Sequence, residues 1–332
     1  MSRGLLQIGV LVLQVASVPV QETPLPRDPR LLETIDGELP FAGIADERSA
    51  GITQALRTRD YERAETLLLQ AAEAHPKSAE VLRTLGGVFF LRGRPLNAAI
   101  AFKKAEAIAP LDERSRFTLV MAYVALGQRD WARPELATLA AAAPANPLYP
   151  YWTGRLDQDD GQYAAAVESL QRATRLDSRY MKAYDNLGLC YEALGRFDEA
   201  ERSFEEALRL NRAEKARSPW PALNFGLLLT RLDRPEAAEA RFRESLAADP
   251  RFPQARYQLG VALEKRGLVA EAITELDEAA RLDPAYAEPQ YALARLYRRS
   301  GDTERADRAL ERFLELKARQ DRQKNQAAPE QR

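Results

Sequence analysis

Residues able to do chemistry are sparse in this sequence. His75 is the only histidine and Cys190 the only cysteine among 332 residues. A single histidine leaves most acid–base and zinc constellations without a second member. A single cysteine allows neither an intrachain disulfide nor a multi-cysteine metal site. His75 precedes Pro76 in a turn and reads as a solvated loop side chain. Cys190, between Leu189 and Tyr191 on an apolar helix face, reads as a buried inert thiol. Asp157, Asp159 and Asp160 cluster before Gly161. As calcium ligands they lack the twelve-residue loop and its closing glutamate, which favours a solvated turn. Gly86, Gly87 and Gly93 form no phosphate-cradling loop, and neither GxSxG nor HExxH occurs. The expectation is a protein that is not an enzyme and that needs no cofactor and no metal.

Bulk charge points the same way. Forty-eight basic and 49 acidic side chains leave a net charge of -1. They are intermixed along the chain, as on solvated helix faces, and give no field for nucleic acid. The apolar share of 45% is that of a folded protein.

The elements that must position any site show in the spacing of small residues. Ala64, Ala98, Ala132, Ala166 and Ala200 stand 34 residues apart, as do Ala238, Ala272 and Ala306 after one step of 38. Gly93, Gly127, Gly161, Gly195, Gly267 and Gly301 each precede one of these alanines by five. Pro76, Pro110, Pro144, Pro250 and Pro284 each follow one by twelve. Three residue types sharing one period and one slip indicate a solenoid repeat. In residues 181–214, Tyr184, Leu187, Gly188 and Tyr191 share one helix face; Phe197, Ala200, Phe204, Ala207 and Leu208 share a second. Gly195 between them suits a left-handed helix end. Ala200 and Gly188 are small where the two helices approach most closely. The slip, Lys215–Ser218, either lengthens a helix by a turn or makes a longer loop.

This unit resembles the tetratricopeptide repeat, with LGLCY and DEAERSF over residues 187–204. The resemblance covers eight units: 45–78, 79–112, 113–146, 147–180, 181–214, 219–252, 253–286 and 287–320. It implies an all-α, right-handed superhelical solenoid of eight helix-turn-helix repeats, sixteen helices in all. Four units are weaker: 45–78 keeps only its second-helix half, and 113–146 has Val120 for the usual glycine. Residues 147–180 have Asp157 where a tyrosine falls, and 287–320 lack glycine and proline at the usual places.

Outside the array, residues 1–20 read as a secretory signal, with Arg3, the apolar run Leu5–Val15 and small residues at Val15-Ala16-Ser17. The alternative is a semi-apolar tail on a cytoplasmic protein. The run is too short and polar for a membrane span, so no integral span is expected in the mature chain, whose place would be the periplasm or the exterior of a bacterium. Residues 21–44 carry Pro24, Pro26, Pro29 and Pro40 after Pro19 and read as an extended linker; residues 321–332 read as a disordered tail.

The resemblance implies a concave groove lined by the first helices and a partner that is a protein or an extended peptide. Within each unit the groove takes the second, fifth or sixth, ninth, and twelfth or thirteenth positions. Those positions hold Phe117, Met121, Tyr151, Arg155, Trp220, Asn224, Leu227, Tyr257, Gln258, Tyr291, Arg295, Arg298 and Arg299. Aromatics and arginine dominate binding hot spots, and the basic end suits a segment with apolar side chains and an acidic end. The carboxylate-gripping lysine and asparagine pair known in some such domains is absent. The competing expectation is that the aromatics pack between helices and the arginines are solvated. A second function remains open: an assembly factor of an envelope or secretion machine, acting by bracing or self-association.

Overall fold

A computed structural model describes residues 41–44 and 47–327. The expected signal segment, and the linker apart from Phe41–Ile44, lie outside the described residues.

Sixteen helices follow one another in pairs: α1 Arg48–Arg57 and α2 Tyr61–Ala74; α3 Ala79–Leu91 and α4 Pro95–Glu106; α5 Glu113–Ala125 and α6 Arg129–Ala142; α7 Leu148–Asp159 and α8 Tyr163–Leu176; α9 Met181–Ala193 and α10 Phe197–Ala213; α11 Trp220–Arg231 and α12 Pro235–Ala248; α13 Pro253–Lys265 and α14 Val269–Leu282; α15 Glu288–Arg299 and α16 Thr303–Ala327. No strand occurs among the described residues. The weak units thus form the same helix pair as the strong ones. The chain divides in the first turn of α7 into one unit ending at Tyr149 and a second beginning at Pro150. From α1 to α6 and from α8 to α16 every helix packs on the next. Gly154 of α7 lies against Leu170 of α8 in the same way. In addition α3 meets α5, α9 meets α11, α11 meets α13 and α13 meets α15. First helices therefore sit beside first helices, which makes them the tighter, inner layer of each unit.

Local chemistry explains where the helices start and stop. Asp60, Ser78 and Asp112 accept backbone N–H bonds in the first turns of α2, α3 and α5. At the end of α9, the Arg196 N–H reaches the Tyr191 carbonyl at 2.8 Å and the Gly195 N–H reaches that of Glu192 at 3.0 Å. This double bond pattern needs the left-handed φ of +72° at Gly195. The eight phased alanines are all completely buried.

The two units without that glycine hold Arg59 and Asp233 at the same place, each with φ +56°. A side chain in this region costs about 1–2 kcal/mol, partly offset by glycine's greater entropy loss. Arg59→Gly and Asp233→Gly should each raise stability by roughly 0.5–1 kcal/mol. Thermal unfolding of the full chain checks this; a lowered Tm in both variants would refute it.

The slip of four residues does both things open to it. α10 has 17 residues where α8 and α12 have 14. The loop that follows is pinned by Asn211, whose amide nitrogen and oxygen bond Ser218 O and N at 2.8 Å each.

The C-terminal end differs from expectation. α16 continues to Ala327 instead of ending at residue 320. Helix-forming Gln, Lys, Arg and Ala fill those positions, and the next proline is Pro329. Just ahead of this stretch Leu316 is buried and Lys317 Nζ reaches Glu288 Oε1 at 2.8 Å, so the helix that continues is docked on α15 there.

Candidate functional site

The thirteen predicted groove residues separate into buried and accessible sets. Phe117 and Met121 on α5 and Tyr151 on α7 are buried. The Phe117 ring lies 6.0 Å from that of Tyr149, and the Tyr151 ring 4.8 Å from that of Tyr180. These three belong to the core and present no surface to a partner. The physical reason is local: the Tyr149 ring packs on Phe117 and the Tyr180 ring on Tyr151, which covers these positions in their units. Asn224 is likewise buried, giving its amide protons to Asp185 Oδ1 and Oδ2 at 3.1 and 3.0 Å. Arg155 is half-buried, with Nη1 3.3 Å from the Tyr151 hydroxyl and its guanidinium over the Trp152 ring.

The accessible set lies in the second unit. Leu227, Tyr257 and Gln258 are half-buried. Trp220 is 50% and Tyr291 51% exposed, far above what rings of that size show in a core. On α15, Tyr291, Ala294, Arg295, Arg298 and Arg299 join Leu310 of α16 around a cavity of about 360 Å3. Arg295 donates to Glu264, Arg299 lies 3.7 Å from it, and Arg298 lies 3.1 Å from Asp307. Three guanidinium groups thus face two carboxylates, leaving one excess positive charge. The Arg298–Asp307 pair is exposed at both ends and therefore weak, within about 1 kcal/mol, whereas the Glu264 carboxylate that faces Arg295 and Arg299 is largely buried.

A second set of aromatics falls outside the groove positions that the repeat pattern singles out. Tyr180, Phe252 and Tyr286 are each the last residue of their unit and are packed on the groove aromatics. Phe252 meets Trp220 at 4.9 Å and Tyr286 meets Tyr257 at 5.4 Å, both edge to face. Burial pushes the Tyr257 and Tyr286 hydroxyls up, so both rings stay neutral. The sequence does carry their signal, since residues 252 and 286 stand one period apart.

Elsewhere, Cys190 is buried and its thiol is pushed up to about 12 by burial, which keeps it from acting as a thiolate. Among the described residues no three His, Cys, Asp or Glu side chains are grouped to hold a metal, and no helix is long and apolar enough to cross a membrane.

Comparisons with known proteins agree with this architecture. Family models described as tetratricopeptide repeat match residues 52–113, 179–251, 223–287 and 291–325, and one described as TPR repeat matches 154–195. The chain is 22% identical over 267 residues to a BBSome complex member BBS4 homolog of Drosophila melanogaster, covering 77% of this chain and 52% of that protein. It thus spans about half the length of that relative. It is 29% identical over 124 residues to the photosystem I assembly protein Ycf3 of Acaryochloris marina, covering 37% of this chain and 74% of that one. Among solved structures, PilW, described as a widely conserved type IV pilus biogenesis factor, matches with a TM-score of 0.54 at 20% identity. That match covers 59% of this chain and 90% of PilW.

Proposed function

The chain belongs to the tetratricopeptide-repeat family, and from that premise we propose that it is a non-catalytic scaffold that binds a protein or extended peptide on the first helices of its second unit. The observation that carries this reading is the α15 cavity, where an exposed tyrosine and three exposed guanidinium groups converge. Exposed aromatics beside arginine on one face are the composition of binding hot spots, not of ordinary solvated surface. Trp220, Leu227, Tyr257 and Gln258 would extend the surface toward α11 and α13. The excess positive charge favours a partner segment with apolar side chains and an acidic end.

The test is capture of partners on the immobilised full chain, followed by titration of a captured partner against Trp220→Ala, Tyr291→Ala and the Arg295→Ala/Arg298→Ala double variant. Each should weaken binding about 5- to 30-fold, the range for loss of a hot-spot side chain, at unchanged helicity. If all three bind like the parent, the surface is not the site.

A second reading, an assembly factor acting by bracing or self-association, draws support from two of the similar proteins, Ycf3 being named for assembly and PilW for pilus biogenesis. It would show as concentration-dependent oligomers of the full chain that survive all three substitutions.

A further inference from the structure

In the second unit, α11, α13 and α15 each pack on both helices of the pair before them. Phe204 of α10, for example, stacks on Phe225 of α11 at 6.0 Å. The covered positions recur. Leu170, Phe204, Phe242 and Leu276 hold one position of successive repeats, and Ala173, Ala207, Ser245 and Ala279 hold another three residues on. All eight are completely buried. In the eighth repeat Leu310 and Phe313 hold these positions and are only half-buried. Leu314, one residue on along the same face of α16, is 57% exposed. Tyr291 of α15 meets the Phe313 ring at 5.2 Å and is 51% exposed. The side chains that a following first helix covers elsewhere thus form an accessible apolar face here.

Charge narrows what fits on it. At two seams the twelfth residue of a repeat is a glutamate that meets arginine of the next first helix. Glu192 meets Arg231 of α11 at 3.2 Å, and Glu264 meets Arg295 and Arg299 of α15. The twelfth residue of the eighth repeat is Arg298 instead. Its guanidinium is 61% exposed and lies against Asp307, itself 74% exposed. A helix seated here must therefore bring a carboxylate where α11 and α15 bring arginine. A second copy stacked end to end would bring α1, which carries Arg57 where α11 carries Arg231, and would set it against Arg298.

We propose that this face of α15 and α16 docks an amphipathic helix of a partner protein, seated as the first helix of a further repeat would be, with its apolar side on Leu310, Phe313 and Leu314 and a carboxylate at Arg298. Burial of the apolar side chains supplies the affinity, and the ion pair sets register and choice of partner. This rests on the α15 surface being a binding site and fixes the form of what binds there.

The probe that tests it is a synthetic peptide of residues 286–301 carrying Arg295→Glu and Arg299→Glu, a first helix with the sign of its contact reversed. The unmodified peptide is the control. Alone, a peptide of this length is too short to hold a helix in water. Titrated with the full chain, the glutamate peptide should gain helicity by circular dichroism and bind about fivefold or more tightly than the control. Arg298→Glu in the full chain should reverse that order, and Leu314→Ser should weaken both peptides about fivefold or more. Both side chains are more than half exposed, so neither change disturbs the packing of the repeats. Equal binding of the two peptides, binding of neither, or binding without gain of helicity overturns the proposal. A captured partner that Tyr291→Ala weakens and Leu314→Ser leaves unchanged keeps the α15 surface as a site and overturns the helix. Self-association of the full chain that Leu314→Ser disperses assigns the face to a second copy and overturns it too.

Discussion

Gly226→Leu should destabilise the second unit by about 3 kcal/mol or more, at the upper end of overpacking costs. Gly226 lies on α11 directly under the ring of Phe242 on α12. A β-carbon there would stand 2.7 Å from Phe242 Cδ1 and 3.0 Å from Cζ, and closer still to Cε1. Real β-carbon contacts do not close below 3.0 Å, so the helices must part or the ring must leave its slot. Phe242 is fully buried, which leaves the ring nowhere to go. Replacing glycine in a helix would by itself gain about 1 kcal/mol of propensity, so any net loss understates the clash. Because each repeat is stabilised by its neighbours, the effect should spread to α9 and α13. For a body of this size the shift in Tm is roughly 6–12 °C. The control is Gly226→Leu/Phe242→Ala. Phe242→Ala alone should cost about 3–5 kcal/mol, and the double variant should lose clearly less than the sum, because the new leucine fills the space the ring leaves. A Tm of Gly226→Leu equal to the parent's, or strict additivity in the cycle, would show that α11 and α12 do not meet at this point.

The same contact explains why the fold is legible in the sequence. Gly86, Gly188 and Gly226 each lie under a phenylalanine sixteen residues later, Phe102, Phe204 and Phe242, while Gly154 and Gly260 lie under Leu170 and Leu276. Small residues forced by close approach recur at fixed spacing, and fixed spacing is what a sequence displays. Even the departures keep the geometry: Arg59 and Asp233 hold the left-handed turn that glycine holds elsewhere. The site is less legible for a physical reason. Position within a repeat tells which way a side chain points, not whether the next first helix covers it. Phe117, Met121 and Tyr151 point inward along the stripe that Tyr291 shares, yet Tyr149 and Tyr180 pack on Phe117 and Tyr151, whereas the half-exposed Tyr291 meets the ring of Phe313 at 5.2 Å. Burial between successive repeats depends on both neighbours at once. The end of α16 has a local reason: helix-forming residues continue a helix that Leu316 and Lys317 dock on α15 just upstream.

Asp185→Asn should stabilise the protein at neutral pH by an amount on the order of 3 kcal/mol, and the gain should vanish in acid. Asp185 on α9 is buried in the seam between first helices, with Asn224 of α11 donating to both of its oxygens. Burial raises its carboxyl from the ordinary 3.8 to about 6; the Asn224 hydrogen bonds and the charge of Arg155 on α7 oppose that rise without cancelling it. The folded state therefore holds this proton more tightly than the unfolded chain does. Between about pH 4 and pH 6 folding takes up a proton, so stability contributed by Asp185 is fully present below pH 4 and lost as pH rises through 6. Above that the ionised carboxylate is carried at a cost, about 1.4 kcal/mol for each unit of the shift. Asparagine has the same shape, keeps an oxygen for the Asn224 amide and does not ionise. Other carboxylates titrate in the same range, so the informative quantity is the difference between variant and parent measured in parallel. That difference should be near zero at about pH 4, grow through pH 5 to 6 and level off above about pH 7. A flat difference across the range would mean that Asp185 is ionised at ordinary acidity in the folded protein, held so by Arg155. A variant less stable than the parent at neutral pH would mean that the Asn224 hydrogen bonds and the charge of Arg155 outweigh the burial.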